Sequence, residues 1–180
     1  LLGVTVPDGF FDGSSPFDIV FQAGEGVALN ISSNLDGLAV SLPLPFNKSP
    51  EQSESLEIDL RISDVLSIDA TYSNNLSLSI AQDTENAWRA LASIGEVRSE
   101  LTLDDVDAGT AVISGRIEEL DISAWADTQA RFRSGGNPGL PAIVWRDFSV
   151  DKLALGETDF GAFSSTCLLY TSDAADDVLC

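Results

Sequence analysis

The sequence contains no histidine, no methionine and only two cysteines. Histidine is the commonest general base and the commonest neutral metal ligand, and every Ser-His-Asp or Cys-His catalytic arrangement requires it. Its absence removes most hydrolytic mechanisms. We therefore expect that the protein is not an enzyme and that it holds no cofactor.

Basic side chains are also scarce, with 9 Lys and Arg residues against 29 Asp and Glu residues and a formal net charge of -20. Because binding to nucleic acid needs clustered Lys and Arg against the phosphates, we expect no nucleic-acid partner. Anionic membrane surfaces are disfavoured for the same reason. Long apolar runs are missing as well, and no window approaches about 18 uninterrupted apolar residues, so the sequence predicts no helix that spans a bilayer.

The abundant feature of the sequence is a period-two alternation of apolar and polar side chains. In segment 56–62 every second residue is aliphatic, and the residues between them are Glu57, Asp59 and Arg61, which indicates a half-buried strand with one apolar face. Segments 66–72 and 76–80 repeat the pattern. Together the three predicted strands supply the aliphatic side chains of one apolar face: Leu56, Ile58, Leu60, Ile62, Leu66, Ile68, Leu76, Leu78 and Ile80.

The same alternation recurs along most of the 180 residues, and turn signals separate the segments. Short connections favour antiparallel pairing of neighbours rather than βαβ crossovers. The predicted fold is all-β: an elongated, antiparallel, strongly curved sheet that is either an open trough or sandwich-like. A proline-rich loop at 42–50 does not divide the chain into two domains, because the pattern continues on both sides. The further predicted strands lie at 17–21, 27–31, 38–42, 97–103, 111–117 and 148–150.

At most one short helix is expected, near 122–132. There Ile122, Trp125 and Ala126 recur at helical spacing, and the glycine-rich segment 134–139 follows as a stop signal. Segment 86–94 is ambiguous because its alanines and leucine favour a helix. Its position between two predicted strands favours a strand, which we predict.

Acidic clusters are the only abundant material for catalysis or metal binding. Those at 104–107 and 118–121 could hold a divalent cation or act as a carboxylate dyad. Both lie at predicted strand ends or turns, where acidic residues are locally favoured, and 104–109 lacks the spacing of a calcium loop. We therefore predict no metal site. A carbohydrate-binding or hydrolytic sandwich would require an acid pair and one of the three tryptophans on the same exposed face.

The carboxyl-terminal segment from Cys167 to Asp177 resembles a translated transposase sequencing adapter. This resemblance implies that residues 167–180 are a non-native tail, which contains both cysteines. Residues 1–166 are then expected to be a fragment of one long β-sheet domain that is truncated at both ends.

Three segments, in order along the chain, resemble the YhdP-type branch of the AsmA-like bacterial envelope proteins. Segment 35–48 is similar to the family pattern L-x-G-L-x-x-x-L-P-x-P-L-x-K, with Phe46 where the family usually has leucine. Segment 120–125 is similar to L-D-L-x-x-W. Segment 148–161 looks like the repeated hairpin v-x-x-L-x-L-G-x-x-x-L-G.

The resemblance implies a periplasmic segment of a Gram-negative envelope protein, anchored in the inner membrane by a helix outside this chain. Its sheet is expected to form an apolar trough, lined by the nine aliphatic residues from Leu56 to Ile80, that carries phospholipid acyl chains between inner and outer membranes. The alternative is a structural or scaffolding β-domain of the envelope, in which the same face is a closed, dry core and the surface docks other envelope proteins. Packing density separates the two, because an interior filled by side chains has no room for an acyl chain.

Overall fold

The alternating segments form strands in the structure, a computed structural model that describes residues 9–82, 84–96, 100–133 and 142–165. Strands account for more than half of the described residues, which contain one α-helix, and this confirms the all-β class. A short 3₁₀ helix, Leu103–Asp105, follows β8. In chain order the elements are β1 (Phe11–Gly13), β2 (Asp18–Ala23), β3 (Val27–Ser33), β4 (Leu38–Val40), β5 (Leu56–Ile62), β6 (Leu66–Tyr72), β7 (Leu76–Gln82), β8 (Trp88–Gly95), β9 (Thr110–Asp121), α1 (Ile122–Arg133), β10 (Ala142–Leu155) and β11 (Thr158–Ser165).

Nine of these strands form one sheet in the order β11-β10-β9-β8-β7-β6-β5-β3-β2. From β2 to β8 every neighbouring pair is antiparallel, as the short connections predict. Leu60, for example, lies opposite Leu29 on one side and Ile68 on the other. Because directly paired residues point to the same face, the alternation gives these strands one apolar face and one polar face.

Two pairings in the sheet are parallel, β8 with β9 and β9 with β10. The prediction of antiparallel neighbours without crossovers was wrong for these pairs. A parallel pair needs a connection that carries the chain back along the sheet. The segment between β8 and β9 and the helix α1 between β9 and β10 provide it, so the chain contains a β-α-β unit.

Individual elements agree with the sequence to different degrees. The helix predicted near 122–132 is confirmed as α1, and the strand predicted at 86–94 is confirmed as β8. The strand predicted at 97–103 was wrong where it can be compared, because Leu103 begins the 3₁₀ helix; residues 97–99 lie outside the described residues, as do the stop signal at 134–139 and the tail at 167–180. The strand predicted at 38–42 forms as β4, but it pairs with β1 in a separate two-stranded sheet.

Two clusters of buried apolar side chains lie on the β8–β10 part of the sheet. On one face Leu91 of β8 packs with Val112 of β9 and Val144 of β10, and Val106 from the β8–β9 connection covers them. On the opposite face the second cluster consists of Ile117, Phe148 and Val150. By contrast, within the described residues no apolar side chain of β2, β3, β5, β6 or β7 is buried.

Asp121 caps the amino end of α1. Its Oδ1 accepts hydrogen bonds from the Ser123 hydroxyl at 2.5 Å and from the backbone N–H groups of Ser123 at 2.9 Å and Ala124 at 3.3 Å. The Ser123 hydroxyl, supported by backbone N–H groups and opposed by burial, lowers the pKa of Asp121 below its ordinary value. The carboxylate therefore stabilises the fold while it is ionised.

Replacing Asp121 with asparagine is expected to destabilise the protein at neutral pH and to have less effect in acid. Because the folded-state pKa is the lower one, the stability from the carboxylate is present above the unfolded-state pKa and is lost as the pH falls through the folded-state pKa. Denaturant unfolding of both proteins at about pH 7 and about pH 3 measures the difference. Asp127→Asn, an exposed change on the same helix, is the control. An equal loss of stability by D121N at both pH values would contradict the ionised cap.

Candidate functional site

The nine aliphatic residues predicted to line an apolar trough lie together on one face of β5, β6 and β7. The strand register places Leu60, Ile68 and Ile80 side by side, and it places Ile58 and Leu78 on either side of Ala70. At the two ends of these strands, Leu56 and Leu76 flank Tyr72, and Ile62 lies opposite Leu66.

The opposite face of the same three strands is polar. Arg61 lies 3.7 Å from Asp69, and the Ser79 hydroxyl donates to Asp69 at 2.7 Å. The Asn30 side chain on β3 donates to Asp59 at 3.1 Å. These polar groups have hydrogen-bond or ion-pair partners on the polar face, which is therefore suited to contact with water. Exposure of the apolar face to water is unfavourable.

The apolar face continues beyond the predicted residues across eight strands. Neighbouring strands are about 4.8 Å apart, so each row of side chains spans roughly 35 Å. One row consists of Ile19, Ile31, Ile58, Ala70, Leu78, Ala92, Ile113 and Trp145; the next consists of Phe21, Leu29, Leu60, Ile68, Ile80, Ala90, Ala111 and Ile143.

These rows have a low strip in the middle. Ala90 and Ala92 on β8 and Ala111 on β9 stop at Cβ, while Leu78 and Ile80 on β7 rise beside them. On the far side, Ile143 and Trp145 of β10 form the other wall. The apolar face therefore has a shallow groove that runs along β8. The sequence prediction missed this strip because alanine carries little strand or groove signal.

None of the nine predicted residues is buried, and Ile62 is 47% exposed. Exposure increases towards the edge strand β2, where Ile19 and Phe21 are each 63% exposed. The two helices do not cover this part of the face, since α1 contacts β10, and the 3₁₀ helix contacts β7 and β8 on the opposite face, beside the Leu91 cluster. In the described part of the chain, the apolar side chains of β2–β7 are thus left partly exposed.

An aromatic cluster borders one end of the apolar face. The Phe46 ring lies 6.4 Å from that of Tyr72 and 5.9 Å from that of Trp125, to which it is nearly perpendicular. The Trp125 indole donates to the Leu44 carbonyl oxygen at 3.1 Å, which joins α1 to the proline-rich loop. Burial, with a smaller contribution from the charge of Glu54, raises the pKa of Tyr72. The phenol therefore stays neutral beside the apolar face at ordinary pH.

Lys48 holds the proline-rich loop in place. Its side chain is 2% exposed, and its Nζ donates to the carbonyl oxygens of Leu38 at 2.7 Å and Ser49 at 3.0 Å. The backbone of Lys48 also pairs with Val40 in both directions. This lysine anchors the loop to β4 and so fixes the position of Phe46 at the end of the apolar face.

A cleft of about 1030 Å³ opens where β8 ends and β9 continues. Arg116 lies in it and binds Asp151 with both ends of its guanidinium, at 2.9 Å through Nε and 2.8 Å through Nη2. Glu96 lies 3.6 Å from the same group. The hydrogen bond and charge of Asp151, with a smaller contribution from Glu96, raise the pKa of Arg116. Arg116 therefore ties β9 to β10 and to the end of β8.

The two acidic clusters are used in local structure. Asp105 accepts hydrogen bonds from the backbone and hydroxyl of Thr102, which lower its pKa and start the 3₁₀ helix. Glu119 accepts from Lys152 at 2.7 Å across β9 and β10, and Asp121 caps α1. Among the described residues, no group of three or more acidic or cysteine side chains is placed to hold a metal ion.

Among the residues that the structure describes, no helix is long and apolar enough to cross a bilayer. Comparison with known proteins finds no matching protein-family model, no matching curated protein and no matching solved structure.

Proposed function

We propose that the apolar face of β2–β10 binds phospholipid acyl chains, and that the chain is a segment of a periplasmic lipid-transfer protein of the inner membrane. In this function the face carries phospholipids between the inner and outer membranes. The observation that carries the proposal is the pair of continuous apolar rows, whose side chains on β2–β7 are left partly exposed. The resemblance of three segments to the AsmA-like envelope proteins points in the same direction.

The chemistry of the face suits an acyl chain. Both rows consist of aliphatic and aromatic side chains without a charged residue, so a methylene chain meets only apolar contacts. Each methylene removed from water contributes about 0.8 kcal/mol, and the gain depends little on where along a row the chain lies. A face of this kind binds without fixing one position, which permits a chain to move along it. No catalytic residue is needed.

The exposed area also supports a ligand. Monomeric soluble proteins rarely expose contiguous apolar patches of more than a few hundred Å², and larger ones mark sites of interaction. Here the exposed large side chains of β2 continue the rows formed by β3 and β5–β7. The low strip at Ala90, Ala92 and Ala111 gives a chain space below the level of its neighbours.

The second candidate is a structural domain of the envelope with a closed core. The packed side chains of Ile117, Phe148 and Val150, on the same face at β9 and β10, favour it for that part of the sheet. It requires a further layer over β2–β7 that fills the space an acyl chain would occupy. The two functions therefore differ in what contacts Leu60.

Site-specific photo-crosslinking distinguishes them. A photoreactive residue is placed at Leu60 or, separately, at Arg61, which lies next to it on the opposite face. Each protein is incubated with vesicles of phosphatidylethanolamine and phosphatidylglycerol, irradiated and analysed by mass spectrometry. We expect lipid adducts at position 60 and at most background at position 61.

The Arg61 protein is the matched control, because it carries the same probe on the same strand, one residue away and on the opposite face. Repeating the experiment at Ile68 and Leu78 extends it to both rows. If the protein is folded and gives no adduct at any of these three inward positions, the lipid proposal fails and the closed structural domain remains.

A further inference from the structure

We infer that β2 is a pairing edge and that its partner is the β2 strand of a second copy of this chain. In the described part of the sheet β2 is the last strand and pairs only with β3. Its outer edge therefore presents unpaired backbone N–H and C=O groups, which another strand can bind. This inference is made for the 180-residue chain itself, and it is independent of whether the apolar face binds lipid.

The two edges of the sheet differ in how they are protected. The pairing of β11, at the far edge, with β10 is interrupted by two register shifts, and β11 contains Gly161 at a positive φ of 77°. Bulges of this kind discourage further pairing. The register of β2 with β3 is continuous for six residues, and β2 contains no proline, lysine or bulge. Of the two edges in the described part of the sheet, β2 is therefore the open one.

The side chains of β2 are exposed on both faces, although most of them are apolar. Ile19 and Phe21 on the apolar face are each 63% exposed, and Val20 on the other face is 50% exposed. All six residues of the strand are exposed. A strand added outside β2 would cover apolar surface on both faces at once, as well as pairing the backbone.

The sequence of β2 is complementary to itself in the antiparallel direction. A two-fold axis through Val20 places Ile19 opposite Phe21 of the second copy and Asp18 opposite Gln22, while the two Val20 residues face each other. No like charges meet, and each apolar side chain meets an apolar one. The same axis keeps both apolar faces on one side, so the rows of one copy continue into those of the other.

The net charge of -20 opposes this association, because the two copies repel each other. Salt screens that repulsion but does not weaken the apolar contacts of the edge. We therefore expect dimer formation to strengthen as salt rises from about 0.02 M to about 0.5 M.

Sedimentation velocity of the full chain, without lipid, tests the inference. The variants introduce a charge of either sign at Val20. The wild-type protein is expected to show a concentration-dependent dimer. Val20→Lys alone and Val20→Glu alone each place like charges at the two-fold axis and are expected to weaken the dimer about tenfold or more. A mixture of the two variants is expected to restore it as a heterodimer.

Ala162→Lys, at an exposed position of the other edge strand, is the control and is expected to leave the dimer unchanged. Because Val20 is half exposed, its substitution is compatible with folding, and circular dichroism verifies this for each variant. A wild-type protein that stays monomeric at every concentration and salt overturns the inference. So does a dimer that survives V20K and V20E, or one that the mixture fails to restore.

Discussion

Replacing Gly115 with alanine is expected to lower the free energy of unfolding by about 3 kcal/mol or more, which is roughly 10 °C in melting temperature for a chain of this length. Gly115 lies in β9 with a φ of 118°, a backbone conformation that residues with a side chain rarely adopt. A Cβ added there would overlap the carbonyl oxygen of Ile94 on the neighbouring strand β8. The clash is with backbone, so a rotamer change cannot relieve it. Thermal and denaturant unfolding measure the loss.

Gly109→Ala separates the clash from the backbone strain. Gly109 also has a positive φ, 77°, but no atom lies within 4 Å of an added Cβ. Its replacement is expected to cost only the left-handed conformation, about 1 kcal/mol. If G115A and G109A lower stability equally, β8 and β9 are not packed as closely at this point as the structure places them.

The sequence predicts the antiparallel half of the sheet because that half depends on local rules. Alternation from 56 to 80 determines which side chains share a face, and two short turns determine which strands pair. The parallel pairing of β8, β9 and β10 does not depend on these local rules. Nothing in the local pattern of β9 indicates that it lies between β8 and β10, since both connections are longer and their direction is set by packing across the sheet.

The site is predictable where its residues are large. Leu60, Ile68 and Ile80 stand out in an alternating pattern, and the structure places them side by side. Ala90 and Ala92 do not stand out, because alanine is common in helices and surfaces alike. The groove depends on them because their small side chains leave space beside the larger side chains of Leu78 and Ile80.

Contacts between distant segments are the other part that sequence reasoning could not supply. Phe46 in the proline-rich loop meets Tyr72 at the end of β6 and Trp125 on α1. Each of these aromatics is an ordinary core candidate by itself. Only the fold brings them to one end of the apolar face.

Replacing Ala92 with tryptophan is expected to reduce lipid binding more than tenfold with little change in stability. Ala92 lies in the low strip of the apolar face, between Leu78 and Ile113. An indole there would occupy the space of an acyl chain, and excluding about two methylenes already costs roughly 1.6 kcal/mol of binding, more than tenfold in affinity. Lipid retained after incubation with phosphatidylethanolamine and phosphatidylglycerol vesicles is quantified by mass spectrometry, and stability by denaturant unfolding.

The stability of A92W decides between the two candidate functions. In an open groove the indole has free space, so the free energy of unfolding should change by less than about 1 kcal/mol, whereas overpacking a closed core typically costs about 1–3 kcal/mol. Ala81→Trp is the matched control, since Ala81 lies on the opposite face of β7 beside Ser67 and Arg89. It is expected to leave lipid binding unchanged. Strong destabilisation by A92W, with no lipid bound to the wild-type protein, would establish a packed structural sheet.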